Sequence, residues 1–398
     1  MRLVAFALFA FAAIAATVPA GTELSVRLKD KIASESTAAG ATVHADLIAP
    51  VVADGRIVIP AGAVLSGTVK QVKPANGATR AEIQLSFTDI SMGAYKTKIN
   101  AVVKTLENAR ETVDDKGVIE GIDGASTYSS RINQGITKLS NSDRFSSLAG
   151  ILQGAKQAFN IQDANANIDY DAGIEFTLKL AAAADWQGPA QGPEANLKPF
   201  PNQAALADLV NQQAFRTIAA EPPKPSDLTN LMFIATEAEL RAAFEKAGWA
   251  SAARLSTASK LETARALIED RGYKEGPMSV LLLDGKPPDF SLQKGNNTFS
   301  ERHHLRIFRR EGTFDGKPIW VCSSTHDIGI DFSERDHTFI HKVDPNIDAE
   351  RAKVVNDLLF TGLVKSLALV DRPQVPTEAS NATGDSLHTD GRMAVLLF

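Results

Sequence analysis

One nine-residue phrase occurs almost twice in this chain. Ala20-Gly21-Thr22-Glu23-Leu24-Ser25-Val26-Arg27-Leu28 is matched nearly class for class by Ala172-Gly173-Ile174-Glu175-Phe176-Thr177-Leu178-Lys179-Leu180. Each copy starts on small, turn-forming residues and then alternates polar with apolar, the pattern of a half-buried strand. Similar alternation runs through Arg56 to Ile59, Ala63 to Val69 and Glu82 to Phe87. The two copies bracket a strand-rich region, so the first and last strands are expected to be neighbours in a closed barrel or a sandwich, where no edge is left unpaired. Between them, Glu107 to Asn141 reads as a polar loop. Phe145 to Phe159 reads as a short helix with Leu148, Ile151 and Leu152 on one side.

A chain of 398 residues suits two domains. Arg2 followed by the apolar run Leu3 to Ala16 and then small residues predicts a signal peptide over residues 1–20. Cleavage is expected at Ala15 or Ala20, with a retained segment as the alternative. Residues 21–181 form the β-rich domain. Residues 182–230 hold Pro189, Pro193, Pro199, Pro201, Pro222, Pro223 and Pro225 and read as a linker, interrupted by a short helix from Gln203 to Ile218. Residues 231–370 read as an α+β domain with an antiparallel sheet. In it, Thr236 and Glu239 make a capping box, and a second helix is expected from Ser259 to Arg271. Strands follow over Met278–Leu283, His303–Arg309, Pro318–Thr325 and His337–Val343, then a long helix from Pro345 to about Leu369. Residues 371–398 form a flexible tail whose apolar end, Met393 to Phe398, reads as a possible last strand.

Net charge of −5 gives no reason to expect nucleic acid or an anionic membrane as partner. Cys322 is the one cysteine, so no internal disulfide forms, and its apolar neighbours make it a buried strand residue. No segment after the signal is long and apolar enough to be transmembrane.

Five of the seven histidines lie between His303 and His341. Asp315-Gly316 signals a hairpin. A register with Arg310 facing Lys317 places His303 opposite Ser324 and His304 opposite Ser323. A second hairpin turning near Phe332 places Ser323 opposite His341. One face then carries His304, Ser323 and His341 with Arg302, Arg306, Thr325 and Asp327. The other carries His303 and His326 among Leu305, Ile307, Trp320 and Cys322, where they read as core histidines satisfied by backbone. The polar face has two possible uses. A divalent metal would be held by His304, His341 and Asp327, and an anion would be held by Arg302 and Arg306. Asp344 and Asp348 offer further oxygen ligands, although Asp344 before Pro345 also reads as a helix N-cap. Arg351 and Lys353 read as a solvated helix face. No sequential metal-ligand, nucleophile-elbow or phosphate-loop motif is present.

Arg302-His303-His304-Leu305-Arg306, Trp320-Val321, Thr325-His326-Asp327-Ile328-Gly329 and His341 through Arg351 resemble the LssY-like C-terminal domain family over about residues 232–364. The resemblance implies that His303, His304, Arg306, His326, Asp327, His341, Asp344 and Asp348 belong to a family signature and carries no activity with it. Ile57 to Gly62, continuing to Val69, resembles the β-barrel of TrbI-type conjugation-channel proteins over residues 21–103, which implies an envelope β module. The expected function is that of an exported, periplasmic or extracellular binding or scaffolding protein. Its partner would be an envelope protein or an anionic small molecule. The alternative is a metal- or phosphate-dependent hydrolase using the same residues, with a histidine as base and Asp327 orienting it.

Overall fold

The structure, a computed structural model, describes residues 16–398 except 55, 78, 108, 143–144, 191–195, 253–261, 263–264, 272–277, 295–300 and 334–337; the side chains of 330–341 are likewise outside the description. Six strands close the N-terminal barrel: β1 (Glu23–Leu28), β2 (Thr42–Leu47), β3 (Val64–Lys73), β4 (Glu82–Met92), β5 (Tyr95–Leu106) and β6 (Glu175–Leu180). Their order is β4-β3-β2-β1-β6-β5, and β5 returns to pair with β4. The echoed phrases are neighbours: β1 and β6 run antiparallel, with Glu175 opposite Arg27 and Phe176 opposite Val26. Leu24, Val26, Leu28, Phe176, Leu178 and Leu180 point into the barrel core, as the alternation requires.

The stretch expected to be a loop is more ordered than its polarity suggests. It carries two short strands, Thr112–Val113 and Val118–Glu120, and a helix α1 (Tyr128–Ser140) started by the Thr127 side chain accepting from the Ser130 N–H. Helix α2 (Ser146–Ala158) follows as expected, but Leu148, Ile151 and Leu152 are exposed.

The expected linker contains regular structure: a helix Gln203–Asn211 and a hairpin of Arg216–Ala219 with Lys224–Leu228. The C-terminal sheet then begins with β7 (Leu231–Ile234), and α3 (Glu237–Lys246) opens on the expected Thr236/Glu239 capping box. The remaining elements are β8 (Trp249–Ser251), β9 (Phe290–Lys294), β10 (Glu301–Phe314), β11 (Lys317–Ser333), β12 (Thr338–Val343), α4 (Ile347–Phe360), β13 (Ser366–Asp371) and β14 (Arg392–Leu397). Of the helix expected over Ser259–Arg271, residues 259–261 and 263–264 lie outside the described residues, and residues 265–268 are helical.

The sheet order is β8-β9-β10-β11-β7-β14-β13, with β12 also on β11. Every pairing is antiparallel except β7 with β14. The chain's last strand is therefore an interior strand of the sheet rather than part of a loose tail. The helix after Pro345 is shorter than expected, because Gly362 at φ 70° ends it and β13 begins at Ser366. Its N-cap is Asn346, whose side chain accepts from the Ala349 N–H; Asp344 instead accepts from the Asn346 N–H. Apolar residues cover both sheet faces. Leu231, Phe233, Leu305, Ile307, Trp320 and Leu396 pack under α3 and α4, while Met232, Ile234, Phe308, Ile319, Val321 and Val395 pack on the reverse side.

Candidate functional site

The β10–β11 hairpin turns at Asp315-Gly316, both at positive φ, with Phe314 opposite Lys317. A bulge between Arg309 and Thr313 sets the pairing above it, so His303 faces His326, His304 faces Thr325 and Arg306 faces Ser323. The expected pairing of His303 with Ser324 and of His304 with Ser323 is thus displaced by two residues. Two is the side-chain period of a strand, so the faces stay as assigned. The second hairpin differs more. His341 lies opposite Ile330, not Ser323, after a register shift between Asp327 and Gly329. The row His304, Ser323, His341 does not form, and the His341 side chain is outside the described residues.

The Arg/His/Asp face exists but is closed. Arg302, His304, Arg306, Ser323, Thr325 and Asp327 are all buried. Arg306 donates to Asp227 Oδ2 at 3.2 Å and to the carbonyl and hydroxyl of Ser279 at 3.2 and 3.1 Å. Arg302 reaches Gln293 and Asp327, each at 3.5 Å. His304 Nε2 is 3.0 Å from Thr325 Oγ1, and its Nδ1 is 3.6 Å from Asp327 Oδ2. Burial raises the Asp327 carboxyl to about 7, against the pull of Arg302 and Arg306. Burial likewise pushes the Cys322 thiol well up, which agrees with a strand residue rather than a nucleophile.

The opposite face leads to the barrel. His303 and His326, paired across β10 and β11, stack with ring centroids 4.1 Å apart. The partners of His303 are carboxylates rather than backbone: Glu350 Oε2 of α4 is 2.6 Å from its Nδ1, and Glu107 Oε2, just past β5, is 3.4 Å from its Nε2. Burial works against charge on His303, but Glu350 and Glu107 outweigh it and raise the ring to about 9. Burial and the neighbouring charge of His303 lower His326 to about 4. Two stacked imidazoles are thus held in opposite protonation states, the pattern that separates an acid from a base.

Beside them the domains meet on buried charges. Glu175 of β6 binds Arg27 at 2.7 Å and also pairs with Lys294 of β9 and Lys353 of α4. Asp357 of α4 accepts from Lys294 at 2.9 Å, from Arg27 at 3.2 Å and from Trp249 Nε1 at 3.0 Å. Lys294 and Lys353 oppose the burial of Glu175 and hold its carboxyl well below the usual range. Lys353 is therefore an interface cation, not a solvated one. Arg351 is also buried and clamps Asp390 at 2.8 Å beside Asp348. Asp348 accepts from Thr389 and the Asp390 N–H, so it anchors the chain leading into β14.

Glu107, Glu175, Lys294, Glu350 and Asp357 were not singled out by sequence. One signal was available: on α4, Ile347, Val354 and Leu358 are buried at helical spacing, and Glu350 falls on the same stripe. The partners of Glu107 and Glu175 belong to the other domain, and no local pattern marks them.

A family model described as LssY C-terminus matches residues 212–393, from just before the Arg216–Leu228 hairpin into β14, and the α+β region is an LssY-like C-terminal domain. The match does not reach residues 21–103, so no role is drawn from the conjugation-channel likeness of that segment. No curated protein matches the chain.

Proposed function

We propose, from the premise that residues 212–393 are an LssY-like C-terminal domain, that this chain is an exported binding and scaffolding protein of a cell envelope, docked to a partner protein through the helical hairpin of its barrel domain. The exposed apolar face of that hairpin carries the proposal. Phe145, Leu148, Ile151, Leu152 and Phe159 are 45, 44, 67, 40 and 51 % exposed, and an apolar groove of about 170 Å³ runs between Ile132, Leu152, Phe159 and Ile161. A continuous apolar patch of this kind on a folded domain marks an interaction surface. Lys156 is neutralised by Asp163 at 2.7 Å, which suits a protein partner better than an anionic lipid surface. Among the described residues no helix is long and apolar enough to cross a membrane. Export rests on the apolar start of the chain. Processing after Ala15 rather than Ala20 is favoured because Ala16–Val18 pairs with Ala184–Trp186 and buries Val18.

A photo-crosslinking residue at Ile151, with exposed Val52 as the control position, tests the docking in intact cells. One defined envelope protein captured at 151 and absent at 52 is the expected result. Equal capture at both positions, or none, would end the docking reading. Leu148→Lys, introduced beside the crosslinking residue at 151, should abolish the adduct while shifting stability by no more than about 0.5 kcal/mol, the usual size of a surface change.

One arrangement favours a hydrolase instead: Thr325, His304 and Asp327 stand in the order nucleophile, base and orienting acid, with contacts of 3.0 and 3.6 Å. The scaffolding reading expects wild type and His304→Gln to show the same background rate on p-nitrophenyl esters and phosphomonoesters. A wild-type turnover at least 100-fold above that of His304→Gln and Thr325→Val would replace it with the hydrolase.

A further inference from the structure

We propose that Glu107, His303 and His326 form a divalent transition-metal site that ties the barrel to the LssY-like domain, with Glu350 positioning His303. The docking reading is independent of this site and rests on a different surface. One ligand atom from each of the three residues lies within 4.8 Å of the others. Two come from directly opposed positions on adjacent strands, which fixes their spacing, and the third comes from the other domain. A tetrahedral ion with bonds of about 2.0–2.2 Å needs its ligand atoms roughly 3.3 Å apart, so closure asks for a small inward movement of side chains.

Glu350 supplies what a ligating histidine requires on its far side. Its Oε2 holds His303 Nδ1 at 2.6 Å, which fixes the tautomer and aims Nε2 at Glu107. The second oxygen, Oε1, is buried without a hydrogen-bond partner, so negative charge next to the site is left unsatisfied by protein donors. Two imidazoles and one carboxylate suit zinc, cobalt or nickel and not magnesium or calcium, which take oxygen ligands. Glu107 and His326 are only half-buried, and three protein ligands leave a fourth position for water or for a ligand on the solvent side.

Zinc titration of the chelator-stripped full chain by calorimetry, with cobalt as the spectroscopic probe, tests the site. Wild type should bind one zinc ion and melt several degrees higher. Cobalt should give the visible bands of a low-coordinate nitrogen and oxygen site. Glu107→Gln and His326→Ala should each weaken binding at least 10-fold, and Glu350→Gln by about 10- to 100-fold, the range for a group that orients a ligand. His44→Ala, which alters the exposed Asp30 pair at 3.1 Å, should change nothing. Glu107 is half-exposed, so its glutamine variant keeps the fold, which circular dichroism checks. Absence of zinc binding at micromolar concentration in wild type overturns the proposal. So does undiminished binding by Glu107→Gln, which would take the ion away from the domain junction.

Discussion

Glu175→Ala is expected to be among the most damaging single substitutions in the chain, lowering stability by about 3–5 kcal/mol, the cost of removing one partner from a buried ion pair. The reason lies in the charge count at the junction. Arg27, Lys294 and Lys353 face two carboxylates, Glu175 and Asp357; without Glu175 three cations share one anion in a buried setting. Lys294 is 6 % exposed, and burial already lowers its pKa, so it has no access to water in exchange for the lost partner. The same group sets an acid limit. The folded state holds the Glu175 carboxyl below its unfolded value, so its contribution is full above about pH 4.5 and fades as pH falls below that. Thermal unfolding of wild type and Glu175→Ala from pH 3 to 8 checks both statements. The gap between the two curves should narrow toward the acid end and stand at roughly 10 °C near neutrality. A gap of under 2 °C at pH 7 would mean that the domains do not depend on these charges.

The sequence disclosed what repeats with period two and concealed what spans domains. Leu24, Val26 and Leu28 and their echoes Phe176, Leu178 and Leu180 were legible as one barrel face, and their neighbour relation followed from closure. The same alternation separated His303 and His326 from His304, Arg302 and Arg306. A two-residue error in register left that separation intact because it equals the strand period. His341 was placed wrongly for the complementary reason, since a shift between Asp327 and Gly329 breaks the alternation on which its face assignment depended. Glu175 occupies a polar position of a regular strand and looks solvated. Only the arrival of Lys294 and Lys353, 119 and 178 residues away, buries it. The polar face read as open because residue type reports that a group is polar, not whether Asp227 and Ser279 will close over it. The strand Leu231 to Ile234 was missed as a strand because it is buried on both faces and shows no alternation.

Gly67→Ala is the second large effect, and it comes from adding one carbon. Gly67 lies in β3, opposite Val43 on one side and Phe87 on the other, so no edge is free to give way. A Cβ built there would stand 2.2 Å from the Ser86 carbonyl oxygen and 2.8 Å from Phe87 Cα. Both are backbone atoms of the neighbouring strand, so a rotamer change cannot relieve the clash. The register between β3 and β4 shifts at this point, between Ser66 and Gly67, where the strand bends to close the barrel. The expected cost is about 3 kcal/mol, the upper end for overpacking, because β4 must move bodily and carries Leu85 and Phe87 of the core with it. Gly135→Ala supplies the contrast: it sits in α1 with nothing within 4 Å of the new methyl, and alanine there should stabilise by about 0.5–1 kcal/mol. Urea unfolding of the two variants beside wild type should therefore move the midpoint in opposite directions. If Gly67→Ala unfolds with wild type, the strands are not in this register. The placement of Glu107 at the end of β5 and of Glu175 on β6 would fall with it, because both reach the LssY-like domain only from a barrel closed in this order.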